Sequence, residues 1–257
     1  MKIIILQTDI AWAEPQENIR RVEAMMQRSG SADLFALPEM WATGFCVEPE
    51  GIAEDEELSV ALAWMKQTAR RKDCALSGSL AVRTCDGTYR NRHYFVTPDK
   101  MVYYDKHHLF RHGGEDASFT AGTKTVVAEW KGLRLLLQTC YDLRFPVFSR
   151  YGLAGEYDAI IYVANWPAKR QLAWDTLIRA RAIENQCCVV AVNRVGSDAV
   201  CDYGGGSVVI DPLGRTMTAC SDGMSWASAD VDADDIAKAR QRFRVLDDRD
   251  LTTQVNL

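Results

Sequence analysis

An apolar run that stops at a cysteine constrains this chain more than any other feature. Leu133 to Leu137 has the length and character of a buried strand. Gln138, Thr139, Cys140, Tyr141 and Asp142 follow at once, and Pro146 then suits the first turn of a helix. A strand, a polar turn and a helix start are the parts of an α/β fold. Such folds place their chemistry at the carboxyl ends of strands. A thiol there can be partly exposed, and a following helix can favour its thiolate. A free cysteine is more often a buried core residue, so its partners decide the matter.

The rest of the chain agrees with a full globular core. Of 257 residues, 47% are apolar, which is ordinary for such a core. No stretch is rich in Pro, Gly or Ser, and no repeat or low-complexity segment interrupts it. One domain over residues 1–257 is therefore expected. A net charge of −5 argues against a nucleic-acid or anionic-membrane binder, and the Lys169-Arg170 pair is too short to reverse that. No apolar run reaches the roughly 18 residues a membrane span needs. The start, Met1 to Asp9, holds a lysine and an apolar run shorter than a signal-peptide core, and no small-residue cleavage site follows. It reads as a first strand, and the expected location is the cytoplasm.

The 8 cysteines are dispersed, with no Cys-x-x-Cys, which fits reduced thiols better than disulfides. His107, His108 and His112 cluster without companion ligands at metal spacing. Neither metal nor cofactor is expected.

Along the chain, strands are predicted at Lys2–Gln7, Asp33–Leu37, Ala75–Leu80, Tyr89–Val96, Met101–Tyr104 and Ala159–Val163. Further strands are predicted at Cys188–Val192 and Ser225–Val231. Hairpins are predicted at Thr125–Trp130 with Leu133–Leu137, and at Ser207–Ile210 with Thr216–Ala219. Helical spacing covers Pro15–Arg28, Leu58–Arg71, Leu172–Asn185 and Ala233–Phe243. Residues Asp105 to Gly122 read as irregular. Strand–helix units mixed with hairpins fit two sheets sharing one core, with helices outside, better than one doubly wound sheet. Gly204-Gly205-Gly206 precedes a strand rather than opening a helix, so it lacks the setting of a phosphate cradle.

Three polar residues end apolar strands: Glu39 after Leu34 to Pro38, Lys106 after Met101 to Asp105, and Cys140. Together they supply a base, a cation and a nucleophile, a set sufficient for acyl transfer through a thioester. A thiol with a pKa around 8.5 needs such partners near neutral pH. A carboxylate can serve as base when burial raises its pKa. A lysine and the backbone N–H after the nucleophile can hold an oxyanion.

Five segments in this order resemble the nitrilase superfamily of carbon–nitrogen hydrolases over nearly the whole length. They are Leu37-Pro38-Glu39-Met40 with Gly44-Phe45, Tyr104 to Phe110, Cys140 to Pro146, Ala164-Asn165-Trp166-Pro167, and Arg179 to Gln186. Within that superfamily the chain is most similar to bacterial ω-amidases acting on α-ketoglutaramate, above all in Tyr162 to Ala168 and Trp174 to Gln186.

The resemblance implies a four-layer αββα sandwich, two mixed sheets with helices outside. It implies a homodimer, with the tail from about residue 244 packing on the partner subunit. It implies a Glu39–Lys106–Cys140 triad, and Glu115 as a second glutamate ahead of Ala121-Gly122, although Asp116 is adjacent and the loop wording departs from the commonest pattern. The backbone of Tyr141 would help hold the oxyanion, and Phe45 and Trp166 would wall the pocket. The substrate would be a small-molecule amide, a short α-keto acid carrying an ω-amide. Other superfamily activities (N-carbamoyl, aliphatic amide or nitrile hydrolysis) are alternatives, as is a non-catalytic binding protein on the same fold. Nitrile-specific members tend to carry Trp-Glu after the cysteine, where this chain has Tyr141-Asp142.

Against these stand plainer readings. The other seven cysteines are taken as core residues. His107 and His108 are taken as hydrogen-bonded loop anchors rather than acid–base groups. Arg144 is assigned to an ion pair with Asp142 or a strand-end carboxylate. A keto-acid substrate needs a carboxylate-binding arginine, for which Arg111, Arg170 and Arg181 are the other candidates.

Overall fold

The structure is a computed structural model and describes residues 1–249. Residues 250–257, most of the tail expected to reach a partner subunit, lie outside the described residues. The part before them turns inward on its own chain. Leu246 is buried against the same apolar cluster as Tyr151 and Tyr157.

Two sheets form the centre. The first runs Ser225–Asp230, Lys2–Gln7, Leu34–Ala36, Ala75–Arg83, Tyr89–Val96, Met101–Asp105, with Glu54–Asp55 beside Ala75–Arg83. The second runs Thr216–Ala219, Val208–Ile210, Cys188–Asn193, Ala159–Ala164, Leu133–Thr139, Val127–Trp130. Each has three parallel strands at its middle and antiparallel strands at its flanks.

The period of two in the strands explains the layering. In Lys2–Gln7, Ile3 and Ile5 enter the core between the sheets, while Ile4 and Leu6 meet helices Pro15–Ser29 and Val60–Lys72. In Leu133–Thr139, Leu135 and Leu137 face the first sheet, while Leu136 meets helix Gln171–Asn185. Both faces of each central strand are covered, so these strands read as continuous apolar runs. The result is helix, sheet, sheet, helix, the expected αββα order. Cys187 and Cys188 fall on opposite faces, one against the helix layer and one between the sheets.

Local chemistry sets several boundaries. Ser59 caps the second helix, its hydroxyl accepting from the Leu62 N–H at 3.0 Å, so the helix starts at Val60 rather than Leu58. A two-stranded hairpin, Val195–Ser197 with Asp202–Gly204, stands apart from both sheets and was not foreseen. The turn after Cys140 also differs from expectation. Cys140–Arg144 is a 3₁₀ turn, and the helix opened by Pro146 ends at Ser149.

Candidate active site

The carboxyl ends of the two sheets meet at one place, and the polar residues that end their strands converge there. Glu39 follows Leu34–Ala36 and Lys106 follows Met101–Asp105 in the first sheet. Cys140 follows Leu133–Thr139 and Asn165 follows Ala159–Ala164 in the second.

Lys106 is the hub. Its Nζ donates to Glu39 Oε1 at 2.8 Å and to Glu115 Oε2 at 2.7 Å and Oε1 at 3.1 Å. All three side chains have 0% exposure. Burial pushes the Lys106 pKa down, but the Glu115 and Glu39 charges outweigh it and hold that pKa above the usual lysine value. Burial raises the Glu115 pKa, with Glu39 adding to the rise and Lys106 opposing it. Glu115, not Asp116, is the carboxylate paired with Lys106; Asp116 lies at the surface beside Arg111. Within the stretch expected to be irregular lies a four-residue helix, Glu115–Ser118, pinned by the Phe110 N–H donating to Glu115 Oε2 at 2.6 Å. Gly122 holds the Lys106 loop from below. A Cβ there would lie 2.1 Å from the Asp105 carbonyl oxygen, so only glycine fits.

Glu39 is fixed at both oxygens. Oε1 also accepts from Asn91 Nδ2 at 2.8 Å, and Oε2 accepts from the Asn165 backbone N–H at 2.9 Å. The Asn165 side chain donates to the Glu39 carbonyl at 2.6 Å, so the two sheets are tied across the site. Asn91 also donates to Glu115 Oε1 at 2.9 Å.

Cys140 has φ 45°, a left-handed conformation costly for a residue with a Cβ. The turn is held by Asp142, fully buried, which accepts from the Thr139 N–H, the Tyr104 hydroxyl and the His108 N–H. Its fourth contact is His108 Nδ1 at 2.8 Å. His107 Nδ1 meets the Gly122 carbonyl at 2.7 Å. Both histidines thus anchor loops. Tyr141 is the second residue of the turn, so its N–H has no acceptor within it.

The helix-stabilised thiolate anticipated from the sequence is not what this geometry provides. Burial raises the Cys140 pKa well above that of a free thiol, and Glu39 raises it further while Lys106 pulls it down. The reason is local: no full helix follows the cysteine, and two carboxylates outnumber the one cation beside it.

Cys140 and Lys106 open onto a cleft of about 1210 Å³. Phe45 and Trp166 line it, the Phe45 ring 5.3 Å from Lys106 Nζ. Arg144 lines it too. Asp142 is saturated by other donors, and among the described residues Arg144 makes no ion pair. Its guanidinium instead lies 4.8 Å from the Trp166 ring. The expected Arg144–Asp142 pair is thus replaced by an arginine facing the cleft. Lys169 and Arg170 also line the cleft. Arg181 is excluded from it, buried and donating to the Leu143 carbonyl. Arg111 is spent on Asp116. Of the other seven cysteines, two depart from the core reading: Cys85 is exposed in the Thr84–Thr88 turn, and Cys201 is half-buried at the cleft.

A family model of carbon–nitrogen hydrolases matches residues 2–241. The chain belongs to the carbon–nitrogen hydrolase family. An omega-amidase, YafV, of Yersinia enterocolitica is 39% identical over 253 residues, 97% of each chain. A 2-oxoglutaramate amidase of Bacillus subtilis (strain 168) is 34% identical over 250 residues, 96% of each. A solved structure, XC1258 from Xanthomonas campestris, is described as a CN-hydrolase superfamily protein with an arsenic adduct in its active site. It superposes with a TM-score of 0.92 at 39% identity over 97% of each chain. This carbon–nitrogen hydrolase is accordingly an amide-hydrolysing enzyme, and among its described residues no helix is long and apolar enough to cross a membrane.

Proposed function

We propose that this enzyme hydrolyses the ω-amide of a short α-keto acid, α-ketoglutaramate or α-ketosuccinamate, to the dicarboxylate and ammonia. The observation that carries the chemistry is the buried Glu39–Lys106–Glu115 cluster at the floor of the cleft onto which Cys140 opens. The substrate class is supported by the names of the relatives and by Arg144, Lys169 and Arg170, three cations lining the cleft.

Glu39 takes the Cys140 proton as the sulfur attacks the primary amide carbon. A thiol with a raised pKa suits this coupling, because the base need act only when the acceptor is in place. The oxyanion settles between Lys106 Nζ and the Tyr141 N–H. The intermediate collapses, Glu39 returns the proton to the nitrogen, and ammonia leaves a thioester. Glu39 then activates water to hydrolyse that thioester. Glu115 holds Lys106 in line throughout. Phe45 and Trp166 frame the substrate, and Arg144 clamps its carboxylate with the aid of Arg170.

The same reading makes the enzyme a cytoplasmic homodimer. The dimer is supported by exposed apolar side chains on one helix, Leu172 at 81% and Ile183 at 50%.

The test is ammonia release from α-ketoglutaramate, glutamine and a simple nitrile. Release from the keto-acid amide alone is expected. In Arg144→Ala the KM for that amide should rise about tenfold or more, the cost of losing a charge-assisted hydrogen bond. Release from glutamine or the nitrile in preference would overturn the substrate class in favour of another activity of the family.

A further inference from the structure

Two residues outside the triad tie the Glu39 backbone to its own carboxylate. The Met40 N–H donates to Ser79 Oγ at 2.8 Å, and Ser79 Oγ donates to Asn91 Oδ1 at 2.8 Å. Asn91 Nδ2 spends its two protons on Glu39 Oε1 at 2.8 Å and Glu115 Oε1 at 2.9 Å. Both residues are buried, Ser79 at 0% and Asn91 at 1% exposure. The backbone of Ser79 brackets the same segment, its N–H donating to the Pro38 carbonyl and its carbonyl accepting from the Trp41 N–H.

The chain of donors has one direction. A hydroxyl has a single proton, and Ser79 Oγ already accepts from a backbone N–H, so its proton goes to Asn91 Oδ1. That orients the amide with both N–H bonds toward the carboxylates. Here a neutral group does what a second cation could not. Two carboxylates and one ammonium leave the cluster one negative charge in excess. Asn91 satisfies an oxygen of each carboxylate and keeps their separation without changing the charge balance around Cys140.

We propose that Ser79 and Asn91 are positioning residues that hold the Glu39 carboxylate aimed at Cys140. The proposal rests on the reading of Glu39 as general base. The charged and titratable groups facing the carboxylate pair are Lys106, Cys140 and Cys46. Arg92, next to Asn91 in sequence, turns to the opposite face of the strand and pairs with Asp105 and Glu56. Arg90 turns there too, toward the Thr120 and Ala121 carbonyls, and His93 meets Ser77 Oγ at 2.7 Å. Loss of the Asn91 donors removes hydrogen bonds that favour a charged carboxylate over a neutral one.

The experiment compares Asn91→Ala and Ser79→Ala with wild type, both in kcat/KM against pH and in the alkylation rate of Cys140 against pH, in a Cys85→Ser background. For Asn91→Ala, kcat should fall about 10- to 100-fold, the worth of a hydrogen bond to a charged group, with KM little changed. Its acid limb should move up by about one pH unit. Ser79→Ala should shift the limb in the same direction by less. Should Asn91→Ala fail to fold, the Ser79→Ala limb decides. Lower activity with an unmoved acid limb would make the pair merely structural and overturn the proposal, as would unchanged kinetics. If wild type cleaves none of the amides, the substrate reading fails, and the Cys140 alkylation profile alone supports or overturns the relay by the same criterion.

Discussion

Replacing Lys106 with methionine keeps most of the stem volume and deletes the charge. Glu39 and Glu115 then face one another in a site where neither side chain has any exposure. Removing one partner of a buried ion cluster costs about 3–5 kcal/mol, because the remaining charges are left without compensation. Glu115, whose pKa burial already raises, is the group that takes up a proton in response. Glu115→Gln alone presents an amide NH₂ to a ring of donors: Lys106 Nζ, Asn91 Nδ2 and the Phe110 N–H. Its cost is about 1–3 kcal/mol. The double variant removes one cation and one anion together, so it should be more stable than the sum of the singles predicts, by about 1–3 kcal/mol. Urea unfolding followed by tryptophan fluorescence measures all four corners of the cycle. Additive costs would show that the two side chains do not share a charge balance, and the electrostatic account of the site would fail.

Further outcomes follow from the same reasoning. Burial depresses the His93 pKa to about 3, so the folded state keeps this ring neutral while the unfolded state protonates below its ordinary value near 6.5. Stability should therefore fall with pH through that window, by about 2.5 kcal/mol between pH 7 and 4.5 from this group alone, and His93→Gln should flatten that dependence in denaturant titrations. Iodoacetamide should label exposed Cys85 first. Cys140, at 9% exposure with Glu39 as base, should follow, and Cys74, Cys187 and Cys188 should stay silent while the protein is folded. Labelling of the core thiols at the Cys140 rate, read by peptide mass spectrometry, would argue against any activation there. Asp142→Asn removes the carboxylate that holds Thr139, Tyr104 and His108 around the strained Cys140 turn, and should lower kcat at least about tenfold.

The layers of this fold were readable because buried strands write themselves as apolar runs. Ile3 to Leu6 and Leu135 to Leu137 needed no tertiary knowledge. Glu39, Lys106 and Cys140 stood out as polar residues ending such runs. Asn91 did not stand out. It sits in Tyr89-Arg90-Asn91-Arg92-His93, where every residue is polar or amphipathic, so nothing distinguishes the inward positions Asn91 and His93 from the outward arginines. The only available signal was the buried Tyr94-Phe95-Val96 that continues the strand. The Val195–Gly204 hairpin was hidden for another reason. Gly196, Ser197, Asp198 and Gly204 carry loop composition, and the hairpin is anchored by Arg194, at 1% exposure, through Asp9 and the Ile10 carbonyl. No local pattern marks an arginine whose partners lie about as far away in sequence as Asp9. The raised pKa of the Cys140 thiol was not legible because its largest cause is burial, which tertiary packing sets and no local pattern records.

The central claim is that Cys140 carries the acyl group of the amide substrate. Acid quenching of wild-type enzyme during turnover of α-ketoglutaramate, followed by intact and peptide mass spectrometry, tests it directly. The account predicts an adduct of the acyl group on the Cys140 peptide, absent in Cys140→Ala, which should also release no ammonia. Ammonia release that survives in a folded Cys140→Ala variant would contradict it.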